Sequence, residues 1–520
     1  LHRRASAWLE QDGDLPEAIR HALAGGDAER AAELLERVAP AMRRARQEAS
    51  LRRSIEALPE AVVADRPALT LDLIGTLMAT GDFERVPRLL DGVERRQVET
   101  AQTAIYRAAL ALVGGDIDGT LAHAGRALAL AGPDDHLPRG AAAGLAGLAH
   151  WSTGDLAAAH ERYEEAIAHL ERAGHASDAL GCSLALADIQ VSQGRLGAAT
   201  RTLEAGLALA ERHGAIRGVA DMHVALADIL IARGDLGGAT RHLEASDALG
   251  EHTGLPQHAY RSRVAEARLR ELRGDPGAAL ALLEEAERRF DNDLSPVVRP
   301  VPAVAARLRL AVGDDAGALA WARGRGLGAD DPPAYATEFE HVTLARILLR
   351  RGDAGAPGLV DRLLAAAEAG GREGSVVELL VLRAVAARDR GDAPGALASL
   401  EEALERAAPE GHVRAFLDAG PAAVELLRTA ARQGRAPAEA RRVLDHATGS
   451  PAAPAGAAGE LSDRERDVLR LLGSDLSGPD IARELVVSLN TLRTHTRHIY
   501  AKLGVTSRRA AVRRAAELGL

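Results

Sequence analysis

The sequence predicts an all-α protein, a long array of repeated helix pairs followed by a small four-helix module. Three observations predict it. Hydrophobic residues are 47% of the 520 and aromatics only 2%, so the cores must be built largely from Ala, Leu and Val, and Ala and Leu favour helix. A Gly-Asp pair recurs at nearly constant spacing along most of the chain. The charge then changes sign near the end. From Leu461 onward eleven basic residues face seven acidic ones, which leaves −14 on the other 460 residues of a chain whose net charge is −10.

The repeats come first. The pair stands at Gly115-Asp116, Gly154-Asp155, Gly194-Arg195 (Arg in place of Asp), Gly234-Asp235, Gly274-Asp275, Gly313-Asp314, Gly352-Asp353 and Gly391-Asp392, with glycines 39 or 40 apart. Looser copies lie at Gly26-Asp27 and Gly81-Asp82. A fixed period of this length marks a stacked array. Glycine ends one helix because it accepts a left-handed conformation, and aspartate starts the next by accepting from its free N–H groups. Ala159, Ala199, Ala239, Ala279 and Ala318 follow the pairs, where a small side chain lets two helices approach closely. Leu156, Ala159, Tyr163, Ala166, Ile167 and Leu170 then keep helical periodicity. Each unit is a helix pair that buries its apolar face only by stacking on neighbours. The expectation is a right-handed, tetratricopeptide-like superhelix over 1–446, regular over about 115–410. Tetratricopeptide units run about 34 residues, so these are longer.

Residues 447–460, largely Pro, Ala and Gly, read as a flexible linker. The module is expected over 461–520. Ser462 and Glu465 form a capping box for a first helix that buries Val468, Leu469 and Leu472. Ser477 caps a second, with Asp480 near its start and Ile481, Ala482 and Leu485 inward. Val486-Val487 makes a tight turn. Ser488 caps a third helix running to about Leu503, where Gly504 stops it, and Ser507 caps a fourth running to about Leu518. Helices two and three form a helix-turn-helix. At 100° per residue, Leu492, Thr496, Ile499 and Leu503 share about 60° of arc and face the core. Asn490, Thr494, Arg497 and Ala501 lie opposite, flanked by Thr491, Arg493 and His498. Arginine forks and threonine hydroxyls on one face suit base edges and phosphates, and 490–516 holds seven basic residues and no acid.

On these residues, 461–520 resembles the LuxR-type helix-turn-helix. Leu461, Ser462, Arg464, Glu465, Val468 and Leu469 match its first segment. Ser477, Asp480 (Glu in the family), Ile481, Ala482 and Leu485 match its second. Ser488, Thr491, Leu492, Arg493 (Lys in the family) and His495 match its third, and Lys502, Leu503, Gly504, Val505, Ser507 and Arg508 its last. The resemblance implies contacts to double-stranded DNA from Arg493, Thr494 and Arg497, with Thr491 and Lys502 nearby. The DNA-binding set expected from face and resemblance together is Ser488, Asn490, Thr491, Arg493, Thr494, Arg497, His498 and Lys502. The resemblance also implies that the fourth helix, with Ala511, Val512, Ala515 and Leu518, pairs two copies on DNA. The remainder resembles the large MalT-like branch, in which an ATPase precedes a helical array. Segments beginning at Leu1, Glu338 and Gly411 carry that likeness. With no Met at the start, the chain reads as the C-terminal part of a longer one. Lys502 is the only lysine, so a phosphate-binding loop with its lysine is absent.

Other motifs lead to bland readings. Gly324 to Ala329 fits a dinucleotide fingerprint literally but lacks its strand. His160-Glu161 starts a zinc motif that fails at Glu164. His495 and His498 lack a third ligand, Cys182 reads as a core thiol, and Trp151, Tyr163, Tyr260, Trp321 and Tyr335 read as packing within the array. A single cysteine permits no intrachain disulfide and fits a reducing, cytoplasmic setting. No apolar run is long enough for a membrane span; the longest, Gly140 to Trp151, is about a dozen residues. No metal, cofactor or catalytic constellation is expected. The reading is a transcriptional regulator, not an enzyme, with promoter DNA, a second copy, an effector molecule or protein on the array, and RNA polymerase as partners. The competing reading is a protein-binding scaffold with a vestigial tail.

Overall fold

The computed structural model describes residues 1–447 apart from 45–46, 97–98, 215–216, 251–252 and 291–294, and then 463–474, 476, 478–485, 492, 496, 499, 508, 510–512 and 515. Every regular element among them is helical. The chain forms two compact units, Leu1–Ser450 and Pro451–Leu520.

In the first unit, seven helices from His2–Asp12 to Val86–Arg96 enclose a core that includes Leu34, Leu35, Leu69, Ile74 and Leu77. The regular pairs follow. They begin with Ala101–Val113 and Ile117–Leu130 and end with Glu373–Asp389 and Ala393–Ala407. The chemistry at their joints is the expected one. All eight punctuating glycines from Gly115 to Gly391 have positive φ. Asp116, Asp155, Asp235, Asp275, Asp314 and Asp392 each accept from a backbone N–H three residues on, at 2.8–3.1 Å. Asp353 departs from this: it bonds the Gly355 N–H, and its helix starts at Ala356. Ala159, Ala199, Ala239, Ala279 and Ala318 are fully buried.

The array does not stay open. Segments about 180 residues apart touch. The Trp151 indole N–H donates to the Tyr335 hydroxyl at 2.8 Å, and the Tyr335 ring lies on Gly154. A methyl group there would meet the ring at 2.8 Å, so Gly154 is required both by its φ of +84° and by this approach. The Val413 N–H donates to the Ala232 carbonyl at 3.0 Å. Helix Glu373–Asp389 is surrounded on all sides. Val376, Val377, Leu379 to Leu382 and Ala384 to Ala387 are all buried, as expected of a helix that is apolar all round.

The closure has one local signature. Helix Leu196–His213 follows Arg195, which makes no side-chain cap. Its Gly197 N–H instead donates to the Glu410 carboxylate at 2.6 Å, from 213 residues away. Arg233 donates to the Glu410 carbonyl at 3.0 Å, and His412 Nε2 bonds the Gly194 carbonyl at 2.9 Å. The one repeat that lacks its own aspartate is thus capped by a distant part of the array.

Candidate nucleic-acid interface

The second unit contains helices Asp463–Leu472 and Gly478–Glu484, and helical residues at 492, 496, 499, 508, 510–512 and 515. Its core is Val468, Leu469, Leu472, Ile481, Leu492, Ile499, Ala511 and Ala515, with Leu471, Leu485 and Val512 packed against it. Leu492 and Ile499 lie seven residues apart, two helical turns, and both are buried. Thr496 between them is half-buried and donates its hydroxyl to the Leu492 carbonyl at 2.9 Å. On the first two helices, Arg470 pairs with Asp467 at 2.8 Å and Arg483 with Asp480 at 3.0 Å, each one turn away on an exposed face. Such pairs are solvated and contribute little stability.

Ser488, Asn490, Thr491, Arg493, Thr494, Arg497, His498 and Lys502, the residues expected to meet DNA, lie outside the described residues, as do Ser462, Ser477, Leu503, Ser507 and Leu518. The side chains of Glu465 and Ala482 do so as well. Of the residues expected to pair two copies, Ala511 is fully buried and Ala515 is 6% exposed, inside the core of a single copy. Their methyl groups are therefore occupied within one module. Val512 packs beside them, with a methyl 3.9 Å from the position a Cβ on Gly473 would take.

Arg508 has a job that charge counting missed. It is one of the seven basic residues of the acid-free stretch, yet its guanidinium points into the module. It donates to the carbonyls of Leu472 at 2.8 Å, Leu476 at 2.9 Å and Ser474 at 2.6 Å. These carbonyls belong to the end of helix Asp463–Leu472 and the turn after it, which no further helical N–H can serve. One clue was available. The expected fourth helix starts at Ser507, and a cation in a helix's first turn is opposed by the macrodipole, so Arg508 needed a strong partner elsewhere.

Among the described residues no His, Cys, Asp and Glu group has the make-up of a metal site, and no helix is long and apolar enough to cross a membrane. Cys182 is half-buried and its thiol is pushed up to about 12 by burial. His160 pairs with Glu164 at 3.2 Å, and Trp151 packs edge-on against Tyr163.

Comparison with known proteins bears on both units. Residues 101–433 match the model of the MalT-like TPR region, and residues 459–515 that of bacterial regulatory proteins of the luxR family. An HTH-type transcriptional regulator of Mycobacterium bovis is 50% identical over 66 residues, which are 13% of this chain and 8% of that protein. The transcriptional regulatory protein NarL of Mycobacterium tuberculosis is 41% identical over 87 residues, 14% of this chain and 40% of NarL. The chain thus spans less than half the length of these relatives. Among solved structures, a Rap protein complexed with competence and sporulation factor superposes with a TM-score of 0.50 at 12% identity, covering 67% of this chain and 99% of that one; this is a likeness of fold. The repeat match takes in well over half of the 520 residues, and the chain belongs to the MalT-like TPR family, with a luxR-family regulatory domain at its C-terminal end.

Proposed function

We propose that the protein is a DNA-binding transcriptional regulator in which the array, 1–446, senses a ligand or partner and the module, 461–520, binds promoter DNA, with 447–460 joining them. The observation that carries this reading is the luxR-family match over a module whose core already claims Leu492 and Ile499. On a helix in that register, the side opposite the core is the side of Asn490, Thr494 and Arg497. Arg497 and Arg493 read base edges, while Lys502 neutralises phosphate. Two copies bind together, through the fourth helix or the array, in the cytoplasm, and an effector and RNA polymerase complete the partner set. With Ala511 and Ala515 buried, Val512 and Leu518 remain, of the residues expected to pair two copies, for such a contact.

A gel-shift titration of the chain on duplex DNA at several salt concentrations tests the reading. Binding should weaken steeply with salt, because bound arginines and lysine release condensed counterions. Arg497→Ala should cost about 1–3 kcal/mol and relax preference at one base position, whereas Lys502→Ala should weaken all sequences alike. Absence of any retardation at low salt would overturn the proposal.

A further inference from the structure

The repeat register exposes a charge pattern inside the array. The residue six positions before each punctuating glycine runs Asp188, Asp228, Arg268, Arg307 and Arg346 through five consecutive repeats. Two acids are followed by three arginines at one structural position. These side chains meet groups far away in sequence. Asp188 takes both arms of Arg261 at 2.7 and 2.8 Å. Arg268 bonds Asp418 at 2.6 Å and also pairs with Glu271. Arg346 bonds Glu378 at 2.9 Å and the Asp418 carbonyl at 2.6 Å. Arg307 reaches the same Glu378 at 3.0 Å, and Arg414 shares Asp418.

The cluster is short of negative charge. Arg307 and Arg346 divide one carboxylate, Glu378; burial acts to raise it, and the two guanidiniums overcome that and hold it at about 2. Burial pushes Arg307 down to about 10, with the charges of Arg346 and Arg299 acting the same way against Glu378. Its guanidinium lies 3.8 Å over the Phe339 ring and donates through Nε to Thr343, but Nη2 is buried with no partner. Arg299, on the segment leading into helix Val301–Ala311, acts electrostatically on Arg307, His412 and Asp228. Arg299 is exposed, and it enters no hydrogen bond or ion pair among the described residues. Asp228 also lacks a hydrogen-bonding partner among them, and burial raises it to about 6. Two guanidiniums that share one carboxylate, one of them with a buried N–H group that has no acceptor, make a place prepared for a further anion.

We infer that the interior of the array binds a small oxyanion, the phosphate or carboxylate of an effector, between Arg299 and Arg307. Guanidinium forks match such oxygens geometrically. Arg299 meets the anion from solvent, and the anion gives Arg307 Nη2 its acceptor and relieves the crowding of Arg299, Arg307 and Arg346. The inference rests on the reading of the array as a sensor and gives that sensor a ligand chemistry.

The test is thermal denaturation and calorimetric titration of the 520-residue chain with inorganic phosphate and, separately, citrate, against chloride at matched ionic strength. Saturable binding with a rise in Tm is expected for at least one anion; saturation by phosphate alone assigns a phosphate ligand, and by citrate alone a carboxylate ligand. Arg299→Gln, at an exposed and unpaired position, should keep or slightly raise the unliganded Tm and lose affinity about tenfold. Arg307→Met should lose it also. No saturable binding to either anion, or equal binding by wild type and Arg299→Gln, would overturn the inference. Gel shifts on the same preparations separate it from the regulator reading. DNA retardation without anion binding defeats the oxyanion site alone, and anion binding without DNA retardation defeats the regulator alone.

Discussion

The two units close their helix ends differently. Among the regular pairs of the array, six helix starts are capped from three residues away, by an aspartate that follows a left-handed glycine. In the C-terminal unit, one helix end is closed from 36 residues away, by Arg508 on the Leu472 carbonyl. Helix Leu196–His213 stands between the two cases, since it belongs to the array but takes its cap from Glu410. A local cap stabilises its own helix and repeats with the sequence. A distant cap also fastens two elements together, so its loss costs tertiary structure as well as a helix turn.

The largest effect is therefore expected at Arg508. Arg508→Ala leaves the carbonyls of Leu472, Leu476 and Ser474 without their charged donor, at a cost of about 3 kcal/mol. A module of this size has little more than that to lose. DNA binding should fall with it at all sequences alike, and Arg508→Lys should restore only part. A variant that keeps its fold by circular dichroism and loses preference at a single base position would show instead that Arg508 reads DNA.

A smaller difference separates Glu410 from Asp155. Asp155→Ala removes an ordinary cap, worth about 1 kcal/mol. Glu410→Ala removes a cap together with the bond between distant repeats, and about 2 kcal/mol is expected, because the contact with Arg233 is partly solvated and adds little. Limited proteolysis should reveal the same distinction. Cleavage within 408–413 rises in Glu410→Ala and not in Asp155→Ala. Equal melting and cleavage in the two variants would mean that the closure has no energetic weight.

What was legible in the sequence follows the same division. The repeat boundaries and the core alanines could be read because each depends on residues within one turn of the other. The core positions Leu492 and Ile499 could be read because helical periodicity is local. The lodging of Tyr335 on Gly154 and of Glu410 on Gly197 could not, since about 180 and 213 residues intervene and nothing local encodes the pairing. Arg195 was the visible trace: an arginine at a helix start, where an aspartate was due. The stripe from Asp188 to Arg346 was also present in the register, but a period shows which residues are equivalent and not which ones meet. Counting charge failed at Arg508 for a related reason, because a basic residue facing carbonyls and one facing solvent look alike in a composition.

Acid should sharpen the comparison further. Burial holds His412 below the ordinary histidine value, with Arg233 and Arg299 acting the same way and Glu410 and the Gly194 carbonyl opposing. A histidine that binds its proton less well folded than unfolded takes it up on unfolding. Stability is then lost as pH falls below the unfolded value of about 6.5. Asp228, raised to about 6 by burial, works the other way, since its protonation favours the folded chain as pH falls below 6. The measurement is thus the difference between wild type and His412→Gln from pH 7 to pH 5. The wild type should lose more Tm across that window, and parallel curves would remove His412 from the closure.

The smallest effect isolates the cap itself. Arg195→Asp places at the third junction of the regular series the residue its neighbours carry, at a helix start where the present arginine is opposed by the dipole. In the Glu410→Ala background the introduced carboxylate should accept from the N–H of Ala198, as Asp155 does from Ala158, and recover somewhat under 1 kcal/mol. It should not restore the tie between repeats, so the excess cleavage within 408–413 should persist. With Glu410 present, the same substitution would bring a second carboxylate to one helix start, and mutual repulsion should cancel the gain. The double-mutant cycle therefore predicts a coupling between positions 195 and 410 although they are far apart in sequence. If Arg195→Asp stabilises both backgrounds equally, the two residues act independently, and the Glu410 carboxylate is not the cap of helix Leu196–His213.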